Sequence, residues 1–308
     1  MTEAKGEKRP IYANDPYFER WILRDAWDGF WYNLPIILIA LCVFVVFGLI
    51  STSFQLDSIA QFVKQGIMPP EVPILTEVLT LAVNIVLAMV MAVLMYTVHS
   101  SVIDGATCWL AFSQERRSRL FLFLKRSLMI VVVVFALSVV QQHLLWTFVF
   151  QNMMEGDNSA ASIIAPLSGI VSIAFIVAAI LICTWPVSAL LNGDTSIRRA
   201  VARGKKVFWY IVGKHLAVLP AMVLLQIVLL VVAMPMLGAM FSGDAGADGP
   251  VVPMGLVAMF SILGGVLVAA FCCIEAVIIS RALLIGEARL NGSSDQTENT
   301  ELPSESMA

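Results

Sequence analysis

Residues 192–216 read NGDTSIRRAVARGKKVFWYIVGKHL. In the first half Ile197, Ala200, Val201 and Gly204 recur at i, i+3, i+4 and i+7, one face of a helix, while Arg198, Arg199, Arg203, Lys205 and Lys206 fill the other face. That pattern predicts a basic amphipathic helix lying flat on a membrane. Phe208, Trp209 and Tyr210 suit the headgroup level, and an apolar run begins a few residues later, so the helix leads into a membrane span.

The rest of the chain agrees with a membrane setting. Hydrophobic residues make up 59% and charged residues 13%, and the apolar residues come in long blocks rather than short periodic runs. Six blocks are long enough to cross about 30 Å of hydrocarbon as helices: 33–54, 75–98, 127–150, 162–187, 216–241 and 252–280. A β-barrel would alternate polar and apolar residues, and Met129-Ile-Val-Val-Val-Val-Phe135 does not. The expected fold is an all-α membrane protein of six transmembrane helices.

Orientation follows from the basic residues. Segments 1–31, 99–126, 190–216 and 280–308 fall on one side of a six-span arrangement and hold every Lys and Arg except Lys64. The positive-inside bias puts that side, and both termini, in the cytoplasm. The first thirty residues are charged and aromatic without a separate apolar core, so the first span is expected to act as its own insertion signal. Cys42, Cys108, Cys183, Cys272 and Cys273 lie in spans or on the cytoplasmic side, which indicates no disulfide framework. Adjacent Cys272 and Cys273 point in different directions with no histidine nearby, so neither a metal site nor a cofactor is expected.

The order of parts in 192–216 recurs. After a polar arm (1–13), Asn14-Asp15-Pro16 opens a helix whose apolar positions include Phe18, Trp21, Ile22, Ala26 and Gly29 and which ends in Phe30-Trp31-Tyr32. Asp104-Gly105 opens a stretch ending in Leu120-Phe-Leu-Phe123, and Asn192-Gly193 opens the third. These starts are spaced by about 89 residues, which predicts a duplicated unit of interfacial helix and hairpin, used three times within a membrane domain spanning 14–290. Outer loops are expected at 55–73, 151–161 and 242–250, and the polar tail 291–308, which has no Lys or Arg, is expected to be disordered.

Few residues could carry chemistry. Glu275 is a carboxylate on the last span, with Arg281 too far round the helix to pair with it, so it is read either as a coupling group or as the partner of a basic residue on a neighbouring helix. Asn84, Gln226, Gln141, Gln142 and His143 are the other polar groups at span depth, and such groups more often join helices than line a path. Ser261, Gly265 and Ala269 form a row of small residues suited to close helix contact. Asp244 and Asp248 in the last outer loop are read as a solvated turn rather than a cation site. No nucleophile elbow, phosphate loop or zinc-protease motif occurs, and His99, His143 and His215 fall at three depths, so no enzyme is expected.

Asp194-Thr-Ser-Ile-Arg-Arg-Ala200, followed by aromatics and preceding an odd-numbered span, resembles the layout of small six-span bacterial proteins related to the membrane domain of glycerophosphoryl diester phosphodiesterases. The resemblance implies an inner-membrane protein concerned with lipids or envelope upkeep, and it brings no catalytic residue. The expected function is non-enzymatic: a basic cytoplasmic face that holds anionic lipid headgroups or a partner protein, with no role for nucleic acid. The alternative is a permease-like transporter or transporter subunit with Glu275 as coupling carboxylate. Topology can be checked directly. Cysteines introduced at Ser159 and Ser242 in a cysteine-free background are expected to react from outside the cell with an impermeant reagent, and labelling only after lysis would rule out the six-span arrangement.

Overall fold

The computed structural model describes residues 22–65, 74–106, 109–144, 159–191, 196–242 and 254–298. The expected polar arm, the helix start at Asn14, the acidic turn Asp244–Asp248 and the end of the tail lie outside them. The helices are α1 (Ile22–Tyr32), α2 (Leu34–Gln65), α3 (Ile74–Asp104), α4 (Arg117–Leu144), α5 (Ser159–Ile182), the short α6 (Thr184–Val187), α7 (Ile197–Ser242) and α8 (Met254–Glu298). Single 3-10 turns occur at Leu110–Phe112, Gln114–Arg116 and Ser188–Leu190. No strand occurs among the described residues. Among the described residues five helices are long and apolar enough to cross a membrane, and the bent pair α1–α2 makes a sixth when counted as one span. The chain is an all-α membrane protein.

Contacts divide the chain into two units. The first holds the described residues through Ser113 together with Lys214–Val277. Here α1 and α2 meet at 79° around Asn33. The cause is local: Pro35 has no N–H to give to the carbonyl four residues back, so the helical ladder fails at this point. Asn33 ties the bend to α3: its buried Nδ2 donates to the Gly29 carbonyl (2.8 Å), which also accepts from the Asn33 N–H (3.2 Å), and to Ser101 Oγ on α3 (3.2 Å). Ile22, Ala26 and Gly29, spaced i, i+4 and i+7, form the buried face of α1. Trp27 and Trp31 stay exposed and pack edge to face at 5.5 Å, as an aromatic belt at a membrane surface does.

The small-residue row on α8 faces α2. A Cβ on Gly265 would come within 2.7 Å of Leu41 Cδ2, and one on Gly48 within 2.5 Å of Ser261 Oγ, so the two helices approach as closely as their glycines allow. Ala269, the third member of the row, is buried.

The second unit holds Gln114–Gly213 and the residues from Ile278 on. Its apolar centre is Val207 and Ile211 of α7 with Ala282 and Ile285 of α8, and Ile180, Cys183 and Tyr210 pack around it. The segment from Thr184 to Leu190 is buried and is tied to α4, where Arg126 donates to the Trp185 carbonyl and to Ser188 Oγ, both at 3.0 Å. The Arg126 guanidinium also lies 5.4 Å from the centroid of the Trp185 ring.

The three expected copies of the repeat take different local forms. Before the first span there is a distinct helix and a bend; the second shows, among its described residues, two 3-10 turns ahead of α4; in the third, α7 starts inside the basic stretch and continues to Ser242 as one helix of 46 residues. The last helix likewise continues past Asn291 to Glu298.

Glycine 204 gives a sharp test of this packing. A Cβ there would meet the Leu181 backbone, with Cα at 2.7 Å, whereas at Gly213 it would meet nothing within 4 Å. Gly204→Ala is expected to destabilise the detergent-solubilised protein by roughly 1–3 kcal/mol, and Gly213→Ala to be neutral or stabilising by up to about 1 kcal/mol. Thermal unfolding of the two variants checks this, and an unchanged midpoint for Gly204→Ala would contradict the close crossing.

Candidate functional site

The basic end of α7 is held by the last turns of α8. Arg199 presents the Nε and Nη2 edge of its guanidinium to Glu287: Nε donates to both carboxylate oxygens at 3.2 Å, and Nη2 to Oε2 at 2.5 Å. Arg203 reaches the same carboxylate from the other side, with Nη1 donating to Oε1. One turn further, Arg289 donates to the Lys206 carbonyl at 2.6 Å. A single carboxylate thus serves two arginines.

Arg203 is placed differently from its expected position. It is fully buried, and the inward stripe of α7 is Ala200, Arg203, Gly204, Val207 and Ile211, while Ile197 is exposed. Two features make the burial tolerable: Glu287 supplies the counter-charge, and Gly286 leaves room for the stem, since a Cβ on Gly286 would lie 3.2 Å from Arg203 Cβ. Arg198, Lys205 and Lys206 are exposed, and Trp209 beside them is 79% exposed. The five basic residues therefore separate into a buried one, a half-buried one (Arg199) and three on the surface.

The second charged pair is in the first unit. His215 Nε2 of α7 lies 2.8 and 2.9 Å from the two oxygens of Glu275 on α8. Both side chains keep about a third of their surface exposed, 37% and 31%. Glu275 thus has a partner on a neighbouring helix, a histidine rather than a lysine or arginine. Asn84 and Gln226 are exposed on α3 and α7, and among the described residues no hydrogen bond joins either to Glu275. His99 is buried in α3, in surroundings different from those of the partly exposed His215. No group of three metal-binding side chains occurs among the described residues, and no disulfide joins Cys42, Cys183, Cys272 or Cys273.

Sequence reasoning missed Glu287, Arg126 and the His215–Glu275 pair. One signal was present: His215 with Glu275, and Arg203 with Glu287, are each equidistant in sequence from the same point of the loop 242–250, as opposed residues of a helical hairpin must be.

An apolar crevice of about 500 Å³ also lies in the first unit, under Trp27 and Phe30 of α1 and against Leu225 and Ile274.

Fold and charged sites together define a multi-pass α-helical membrane protein with a basic surface backed by a buried arginine–carboxylate clamp. No protein-family model, curated protein or solved structure matches this chain.

The clamp predicts an asymmetry. Glu287→Gln removes the carboxylate from both arginines and leaves Arg203 charged and buried, which is expected to cost about 3 kcal/mol or more. Arg199→Gln removes a half-exposed partner and is expected to cost about 1 kcal/mol or less. Unfolding of each variant in detergent checks the difference, and equal losses would show that Glu287 does not depend on the buried member.

Proposed function

We propose that this chain is a non-enzymatic protein of a bacterial inner membrane, with both termini cytoplasmic, whose basic face holds anionic lipid headgroups. The observation that carries the reading is the exposure of Arg198, Lys205 and Lys206 on one helix beside exposed Trp209. An aromatic ring of this kind favours the headgroup level, and basic residues near an anionic leaflet gain about 1 kcal/mol each. The layout-level resemblance to the membrane domain of glycerophosphoryl diester phosphodiesterases, with its threefold unit of interfacial helix and hairpin, supports a role in lipid or envelope upkeep. An acidic patch on a partner protein would satisfy the same charges.

A second reading draws on the His215–Glu275 pair. Two titratable groups on neighbouring helices, each a third exposed, are what a permease-like transporter would use to couple solute movement to a proton, with Glu275 as the coupling carboxylate. Glu275→Gln in a folded, inserted protein separates the two readings, because it abolishes transport and leaves lipid retention as it was.

The lipid reading makes its own prediction. Replacing Arg198, Lys205 and Lys206 by Gln is expected to lower the anionic lipid retained by the purified protein and to flatten the dependence of retention on salt. The measurement is the lipid content of protein washed at rising ionic strength. Retention that is unchanged by the substitutions and by salt would reduce these charges to an orientation signal.

A further inference from the structure

The apolar crevice of the first unit is long and narrow. On α8 its wall is Leu263, Val266, Leu267, Ala270 and Ile274, a stripe at i, i+3, i+4, i+7 and i+11, so the crevice runs along the helix rather than across it. From Leu263 to Ile274 the helix rises about 16 Å, at about 1.5 Å per residue. His215 of α7 pairs with Glu275, beside Ile274, and Leu225 and Val228 lie about 15 to 20 Å further along α7. These two therefore wall the end of the crevice around Leu263.

The other end is roofed by α1, which presents Leu23, Ala26, Trp27 and Phe30 from one face. Two contacts fix its level: Gly29 faces Val98 of α3, and the next residue, His99, hydrogen-bonds the Ala276 backbone of α8. The roof is thus at the Ile274 end. Because α1 meets α2 at 79° and exposes Trp27 and Trp31, it marks the headgroup level of a bilayer. From there the crevice descends about 16 Å, close to half of the roughly 30 Å of hydrocarbon, which is the depth of one leaflet.

The lining and the width decide what fits. Every lining residue is apolar, whereas a held water needs several polar partners. A volume of about 500 Å³ over that length leaves a mean cross-section of about 30 Å². A helix with its side chains is at least about 10 Å wide and takes up about 80 Å², so no helix of a partner enters. A single hydrocarbon chain does.

We propose that the crevice is a binding site for one acyl chain of a membrane phospholipid, with the headgroup beside Trp27 and the chain end at Leu263. The site recognises hydrocarbon by packing, not by charge, so salt does not release its ligand. It lies in the first unit and does not rest on the basic face, which belongs to the second. A chain held between α1, α7 and α8 exchanges more slowly than one in the surrounding bilayer.

The full-length protein in phosphatidylcholine vesicles tests this with two photoreactive phosphatidylcholines, one bearing a diazirine near the glycerol and one at the chain end. After irradiation and digestion, the first is expected to label α1 around Trp27, and the second α8 around Leu263 and α7 around Val228. Both are expected to exceed, several-fold, the labelling at Ile170 and Ile173, which are exposed on α5. Ala270→Phe puts a ring into the crevice and is expected to remove most of that excess. Val228→Phe narrows the crevice from an exposed position and does the same where Ala270→Phe fails to fold. Replacing Arg198, Lys205 and Lys206 by Gln is expected to leave the labelling as it was, so that failure of the surface reading and failure of this one are told apart. Labelling no greater than on α5 would overturn the proposal and reduce the crevice to ordinary bilayer contact. An excess that persists in the folded variants, or the two probes labelling the opposite ends, would overturn it as well.

Discussion

Glu287 sets the terms for the basic stretch on which the chain's reading turns. A guanidinium inside a protein is tolerated only with a counter-charge in good geometry, and Arg203 is inside. Its carboxylate partner comes from α8, so the position of the basic segment of α7 depends on the end of α8 being there. The packing below follows from that placement. With Arg203 turned inward, Gly204 must also face inward, which is possible only because it has no side chain to meet the Leu181 backbone, and Val207 and Ile211 then continue the stripe into the apolar centre.

The bend at Asn33 shows how similar sequence can fold in different ways. Each of the three stretches expected to be copies of one unit has a polar start and an aromatic end, but only the first carries a proline two residues past the bend, with a buried amide that ties the bend to α3. The helix that begins at Ile197 has no proline at its aromatic cluster and runs through it, and it continues to Ser242 with Pro220 and Pro235 inside it. Aromatic clusters mark where a membrane surface lies; backbone hydrogen bonding decides whether the helix turns there.

What was legible in the sequence follows from this division. The helical class and the spans could be read because a bilayer demands long apolar blocks, and the close approach of α2 to Ser261 and Gly265 could be read because small residues at four-residue spacing permit little else. The phase of the basic helix was misread. Periodicity treats every arginine as surface, and the residue that keeps Arg203 inside is 84 positions away. The same distance effect hid the His215–Glu275 pair, whose members are 60 residues apart. Local pattern reports on local contacts, and both charged pairs are made between helices. The register of the last hairpin was the one route to them, since a single turn point brings both pairs into opposition.

Burial also divides the basic residues into two physical kinds. Arg198, Lys205 and Lys206 act through a field in water, which reaches several ångströms, tolerates sliding of the bound group and weakens with salt. Arg203 and Arg126 act through fixed donors in a low-dielectric interior, where direction matters and salt does not reach. A count of positive charges per loop treats the two kinds alike, and it suffices for topology. It does not suffice for packing, because a charge of the first kind needs only water around it, while one of the second needs a counter-charge at a fixed distance and direction. The basic stretch therefore combines a solvated surface with a paired, buried charge a single helical turn apart.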